Sequence, residues 1–212
     1  IDLFVSCLSI LELFKSGIHN HILNITNRCE HAKLCEDIIN KLIQFPHYRE
    51  IEDIIQNNTI ISETNSSDEK HILNNFRKSP FGIIHCCYKL TEGFDEKCID
   101  SVCLSEEMYS ETRIFQSLLR PHTKDKDNNP NKKAIILIPI SISDEWEEHQ
   151  NDNKFKKVFS VLESMSLSDE NVYQKLKFIN NQSIKKHSTN NNTNIKTEPE
   201  IYDESLKLKF IN

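Results

Sequence analysis

The sequence predicts a mainly α-helical protein, an irregular multi-helix bundle with at most one or two short strands and a disordered C-terminal tail. Three observations carry that expectation. Only 3 of the 212 residues are glycine, and a glycine-poor chain is poor material for tight hairpins and barrel corners. Apolar residues recur at helical spacing over most of the first 120 positions. The best strand candidate, AIILIPISI at Ala134–Ile142, contains Pro139, which removes a ladder donor and confines the run to an edge or a bulge. Its one candidate partner is the short TIIS run at Thr59–Ser62.

Leu3, Phe4, Cys7, Leu8, Leu11 and Phe14 form the apolar stripe of a first helix. Ala32, Cys35, Ile38, Ile39 and Leu42 repeat it in a second helix at about 30–44, which Phe45-Pro46 ends, since proline offers no amide and restricts the residue before it. Tyr48, Ile51, Ile54 and Ile55 mark a short third helix. Ser66-Ser67-Asp68-Glu69 reads as a capping box, opening a fourth helix that buries Ile72, Leu73 and Phe76 and stops at Pro80. A helix at 81–90, a turn at Glu92-Gly93 and a helix from about 95 follow, and Met108, Phe115, Leu118 and Leu119 extend the pattern to Arg120.

The composition then changes. PHTKDKDNNPNKK, residues 121–133, holds two prolines and no other apolar residue, as expected of a polar loop or linker. The expected organisation is therefore a cysteine-containing helical domain at 1–120, that loop, a small strand-plus-helices extension at 134–179 and an Asn-rich disordered tail at 180–212. Phe155, Val158, Phe159, Leu162 and Met165 give the extension an amphipathic helix. KLKFIN occurs twice, at 175–180 and 207–212.

The formal net charge is −6, all of it in residues 1–120, and the remainder is neutral. Neither part is basic, so nucleic acid is not expected as the principal partner. Walker-type and Rossmann-type glycine loops are absent, and no cofactor is expected. No run of about eighteen apolar residues is present to span a bilayer.

All seven cysteines lie at or before Cys103. Packing as small hydrophobes is the leading reading, with Cys7, Cys35, Cys87 and Cys103 on apolar stripes. In a secreted protein, Cys29, Cys86, Cys98 and Cys103 are the disulfide candidates. For a metal, the candidates are His19, His21, Cys29, His31 and Cys35, although their spacing matches no standard zinc site. A catalytic cysteine is disfavoured because His85 and Cys86 diverge by about 100° on a helix. AIILIPISI is similar to a strand of autophagy cysteine proteases, whose Cys segment and Asp-x-His pair have no counterpart here. Ile195-Lys196-Thr197-Glu198 has the hydrophobic-Lys-x-acidic form of a sumoylation site, making Lys196 a modification candidate.

Together these features predict a non-catalytic helical interaction or scaffold protein whose partner is another protein, placed in the nucleus or cytoplasm in preference to outside the cell. The alternatives are a secreted, disulfide-stapled helical protein binding a receptor or small ligand and, third, a cysteine-dependent hydrolase.

Overall fold

Five short strands align side by side as a parallel sheet. In a computed structural model, residues 2–17, 20–90, 96–123, 125, 129, 132–139, 160 and 161 are described. The chain divides into two units, residues 1–155 with 212, and residues 156–211. The first runs α1 (Asp2–Lys15), β1 (His21–Ile25), α2 (Cys29–Leu42), a 3₁₀ turn (Pro46–Tyr48), α3 (Arg49–Glu52), β2 (Ile55–Ile60), α4 (Ser66–Lys78), β3 (Phe81–Cys86), β4 (Ser101–Leu104), α5 (Glu111–Leu119), a second 3₁₀ turn (Arg120–His122) and β5 (Ile135–Leu137). The strand order is β2-β3-β1-β4-β5, every pairing parallel. Of the second unit only Ser160 and Val161 are described, in a helical turn.

This corrects the predicted helical bundle. The stretches read as helices at 81–90 and from 95 contain β3 and β4, Ile55 opens β2 where a third helix was expected to close, and Ile135–Leu137 pairs with β4. The physical reason lies in two ambiguities. Phe81–Cys86 and Ser101–Leu104 are almost wholly buried, and a strand covered on both faces has no polar alternation to separate it from a helix turn. Glycine scarcity also misled, because parallel strands are joined by long crossovers and need no tight hairpins.

Helices cover both faces. Alternation along a strand sends neighbours to opposite sides, so Asn24 and His85 face α2 while His21 and Gly82 face Phe76 of α4. α4 opens as expected at 66, but its cap is Asn65, whose Oδ1 accepts from the amides of Ser67 and Asp68 at 3.0 and 2.9 Å. The core comprises Ile10, Leu11 and Phe14 of α1, Ile22 and Leu23 of β1, Ile39 of α2, Ile83 and Ile84 of β3 and Val102 of β4. Apart from Ser160 and Val161, the extension beyond 139 lies outside the described residues, as do the Asn-rich tail and both KLKFIN copies.

Gly82 is where α4 approaches the sheet most closely: a Cβ there would stand 2.5 Å from Phe76 Cδ2. Gly82→Ala is therefore expected to lower unfolding free energy by about 1–3 kcal/mol, the usual cost of overpacking, read as a lower urea midpoint with unchanged m-value.

Candidate functional site

In this order β1 leads away towards β2 and β4 leads away towards β5, so the chain parts between their carboxyl ends. Open α/β sheets take ligands in the crevice at such a point. Here the crevice holds a cavity of about 420 Å³. One wall is apolar, built by Leu3 and Phe4 of α1 and Leu34 and Ile38 of α2. The other is polar, built by Asn27, His31, Ser105, Glu106 and Glu107, with Tyr109 at its rim.

The polar wall is tied together by hydrogen bonds spanning about eighty residues of chain. The Asn27 amide donates to Glu106 Oε2 at 2.8 Å, its side-chain Nδ2 donates to the Glu107 carbonyl at 2.6 Å, and its Oδ1 accepts from the Tyr88 hydroxyl. His31 Nδ1 lies 2.9 Å from Glu106 Oε1; a carboxylate only accepts, so Nδ1 carries the proton. Tyr88 is the one non-glycine residue with positive φ among the described residues, at 57°, a conformation costing about 1–2 kcal/mol. Its bond to Asn27 and the Arg113 guanidinium, 4.7 Å from its ring centre, hold it there.

Beneath the crevice a chain of buried polar groups crosses the sheet on the α2 side. Ser105 Oγ donates to Asn24 Oδ1 at 2.6 Å, Asn24 Nδ2 to His85 Nδ1 at 2.8 Å, and His85 Nε2 to Asn57 Oδ1 at 2.7 Å. Asn57 Nδ2 then donates to Asn40 Oδ1 at 2.9 Å and to the Glu36 carbonyl at 3.0 Å. The sequence of donors assigns His85 as a neutral ring protonated on Nε2. Ser105 belongs to both chain and crevice.

The residues singled out from sequence fall along this region with separate partners. His21 donates Nε2–H to the Phe76 carbonyl at 2.8 Å. Cys29 opens α2, 3.8 Å from the Ser62 hydroxyl. His31 holds Glu106, and Cys35 is buried against Cys7, whose thiol reaches its carbonyl at 3.7 Å. Among the described residues no group of three or more His, Cys, Asp and Glu side chains is arranged to hold a metal; His19 and Lys196 lie outside those residues. All seven cysteines are free. Cys86 and Cys103 are buried in β3 and β4, where burial pushes both thiols up to about 12, and Cys98 sits 3.5 Å from Glu96 Oε1. Asn27, Ser105, Glu106 and Glu107 were not picked out from sequence; the available signal was a short apolar run, a polar turn and a helix start at Ile22–Cys29.

No family model matches the chain, and no curated protein sequence matches it. Among solved structures it is similar to the helicase Lhr of Mycobacterium smegmatis bound to single-stranded DNA and AMP-PNP, with TM-score 0.54 and 14% identity over 77% of this chain and 19% of that one. The chain thus spans about a fifth of that helicase's length. Also similar are the C-terminal domain of the DEAD-box protein Dbp5 (TM-score 0.49, 11% identity, 81% of this chain and 88% of that one) and Mss116p DEAD-box helicase domain 2 bound to an RNA duplex (0.48, 11%, 81% and 73%). The likeness to Lhr, with the parallel sheet, shows a mixed α/β fold of the Rossmann/RecA-like kind, a five-stranded parallel sheet flanked by helices.

Three further expectations are corrected by this fold. The helical, non-catalytic scaffold and its stapled alternative both presuppose a bundle that is not there. The expectation against an enzyme rested on the lack of an activated cysteine, whereas the core is of a kind found in a helicase. Nucleic acid was set aside because neither part of the chain is basic, yet the helicase sharing this fold is bound to single-stranded DNA. No helix among the described residues is long and apolar enough to cross a membrane.

His85→Leu strands Asn24 Nδ2 and Asn57 Oδ1, each costing roughly 1–3 kcal/mol. Its loss of stability in urea should exceed that of Ile84→Val, for which about 0.5–1.5 kcal/mol is expected. For His21, burial pushes the imidazole below its ordinary value and outweighs the pull of Asp100. The unfolded chain then binds this proton more readily, so the contribution of the neutral ring is present above about pH 6.5 and lost as pH falls below it. His21→Gln, which retains a donor for the Phe76 carbonyl, should flatten the stability profile between about pH 7 and 5.

Proposed function

We propose that this chain is a helicase-type module that handles nucleic acid in a nucleotide-dependent way, with the β1/β4 crevice as its working face. The observation that carries the reading is the position of the Asn27–Glu106–His31 clamp: it stands at the carboxyl-end switch point of a fold shared with a helicase bound to single-stranded DNA and a nucleotide analogue. The chemistry of the rim supports it. Tyr109 is exposed beside the cavity, and an exposed aromatic ring is a stacking platform for an unpaired base. Arg28, two-thirds exposed after β1, and Arg113, over the Tyr88 ring, supply cations for phosphates.

The sequence has no glycine-rich phosphate loop, so this module offers a nucleotide a wall and its cations and no glycine cradle. The seven free thiols suit a reducing compartment, in keeping with a nuclear or cytoplasmic site of action.

The test is fluorescence anisotropy of the full chain with a labelled single-stranded oligonucleotide across a salt series, with and without AMP-PNP. Binding should weaken with salt, and Arg28→Ala with Arg113→Ala should reduce the slope of log K against log salt by about 0.7 for each phosphate left without its cation. Tyr109→Ala should cost about 1–3 kcal/mol of affinity. Absence of binding at low salt, or binding indifferent to all three substitutions, would overturn the assignment.

A further inference from the structure

The crevice between the carboxyl ends of β1 and β4 has one wall of hydrocarbon and one of hydrogen-bonding groups, and most of the latter are already engaged. Ser105 Oγ donates to Asn24 Oδ1 at 2.6 Å, the Tyr109 hydroxyl to Glu107 Oε2 at 3.1 Å and His31 Nδ1 to Glu106 Oε1 at 2.9 Å. The other Glu106 oxygen accepts from the Asn27 main-chain amide, and Asn27 Oδ1 accepts from Tyr88. Among the described residues, three side-chain atoms of this wall keep capacity for a ligand. Asn27 Nδ2 places one hydrogen on the Glu107 carbonyl at 2.6 Å and has a second. His31, with its proton on Nδ1, presents Nε2 as an acceptor, 4.0 Å from Glu30 Oε1 and beyond hydrogen-bonding reach of it. Glu107 is held through Oε2, which leaves Oε1 as a second acceptor.

One donor and two acceptors call for a ligand that brings one acceptor and two donors. Its body must also be apolar enough to lie against Leu3, Phe4, Leu34 and Ile38; Phe4 and Leu34 are 47% and 46% exposed, so that wall is open to it. Of the nucleic-acid bases, guanine alone carries this set on its pairing edge, where O6 accepts and N1–H and the N2 amino group donate. Adenine and cytosine put a single amino group beside ring or carbonyl acceptors, and thymine and uracil put one N–H between two carbonyls. The cavity of about 420 Å³ lies within the range of sites for small flat ligands.

We propose that the crevice is a guanine site: Glu107 Oε1 and His31 Nε2 accept from N1–H and N2–H, Asn27 Nδ2 donates to O6, and the ring lies against the α1/α2 wall. The neutral pairing edge faces Glu106 and Glu107, and the phosphates stay outside, away from those carboxylates. This deepens the nucleic-acid reading and rests on it for the source of the base, which is an unpaired guanine of a strand.

The test is fluorescence anisotropy of the full chain with labelled oligo-dT carrying one central dG, hypoxanthine, dA or dC. The dG strand should bind tightest, and hypoxanthine, which lacks only the N2 amino group, should bind roughly ten to a hundredfold more weakly, as expected for one hydrogen bond in a site with a charged acceptor. Glu107→Ala should abolish the difference between dG and hypoxanthine. Strands that all bind equally would overturn the guanine site and leave the nucleic-acid function standing. If no strand binds, that function falls, and the thermal midpoint with free guanosine or inosine decides the site: a rise with guanosine alone supports it with a free nucleoside as the source, and equal midpoints overturn it.

Discussion

Asn24 is a primary amide at the centre of a strand that has neighbours on both edges and helices on both faces. It is fully buried, and an amide left without partners there would cost several times what a typical hydrogen bond contributes. Its oxygen and nitrogen are satisfied only because Ser105 of the β4 edge and His85 of β3 lie on either side of it. That requirement sets the register. Asn24 stands opposite His85 on one side and Cys103 on the other; a two-residue slip would keep the same faces inward but put Ile83 opposite Asn24 and leave imidazole and amide unpaired. Apolar burial alone would not separate these registers, since Ile22 and Ile83 on this side are aliphatic and Cys103 opposite Asn24 is sulfur. A fully satisfied polar chain separates them.

Register, once set, places the ends of the strands. With Ile25 opposite both Cys86 and Leu104, the chain segments leaving β1, β3 and β4 emerge at one level. Asn27, Tyr88 and Glu106 therefore meet although each pair is some 20 to 80 positions apart in sequence. Asn27 then uses its main-chain N–H, its amide nitrogen and its amide oxygen on three different groups. The left-handed backbone at Tyr88 persists for this reason: the ring is held from one side by Asn27 and from the other by Arg113, and strain of this kind survives only where the surroundings over-determine it. The buried chain and the crevice are parts of one assembly, with Ser105 in both.

The helices were readable because amphipathic periodicity is a local property, and α1, α2, α4 and α5 fall close to where their stripes lie. Of the strands, β5 was read as part of the edge run Ala134–Ile142, but β1, β3 and β4 were not, because HILNI, FGIIHC and SVCL are too short and too uniformly buried to show a period. His85–Cys86 illustrates the consequence. Treated as helical neighbours they diverge by about 100°; as strand neighbours they point to opposite faces, and His85 instead meets Asn24 and Asn57. Of the candidate site only His31 was singled out, and in a metal cluster at that. Asn27, Ser105 and Glu106 carry no local signal, since each matters through a partner that the sheet brings from far along the chain.

The same distinction between whole-chain and local quantities governs the charge argument. A net charge of −6 influences solubility and long-range association, but a few ångströms from a surface the arrangement of neighbouring charges decides the field. Around the carboxyl edge the acidic groups are engaged: Glu106 accepts from Asn27 and His31, Glu63 faces Lys33 at 3.2 Å, Glu69 faces Lys89 at 2.7 Å and Glu30 faces Arg28 at 3.4 Å. The exposed pairs among these are weak, each worth at most about 1 kcal/mol, so a phosphate arriving with two or more charge-assisted bonds can displace the carboxylate from its cation. Glu106 differs, because its partners are a main-chain amide and a ring fixed on α2, and it stays where the clamp needs it.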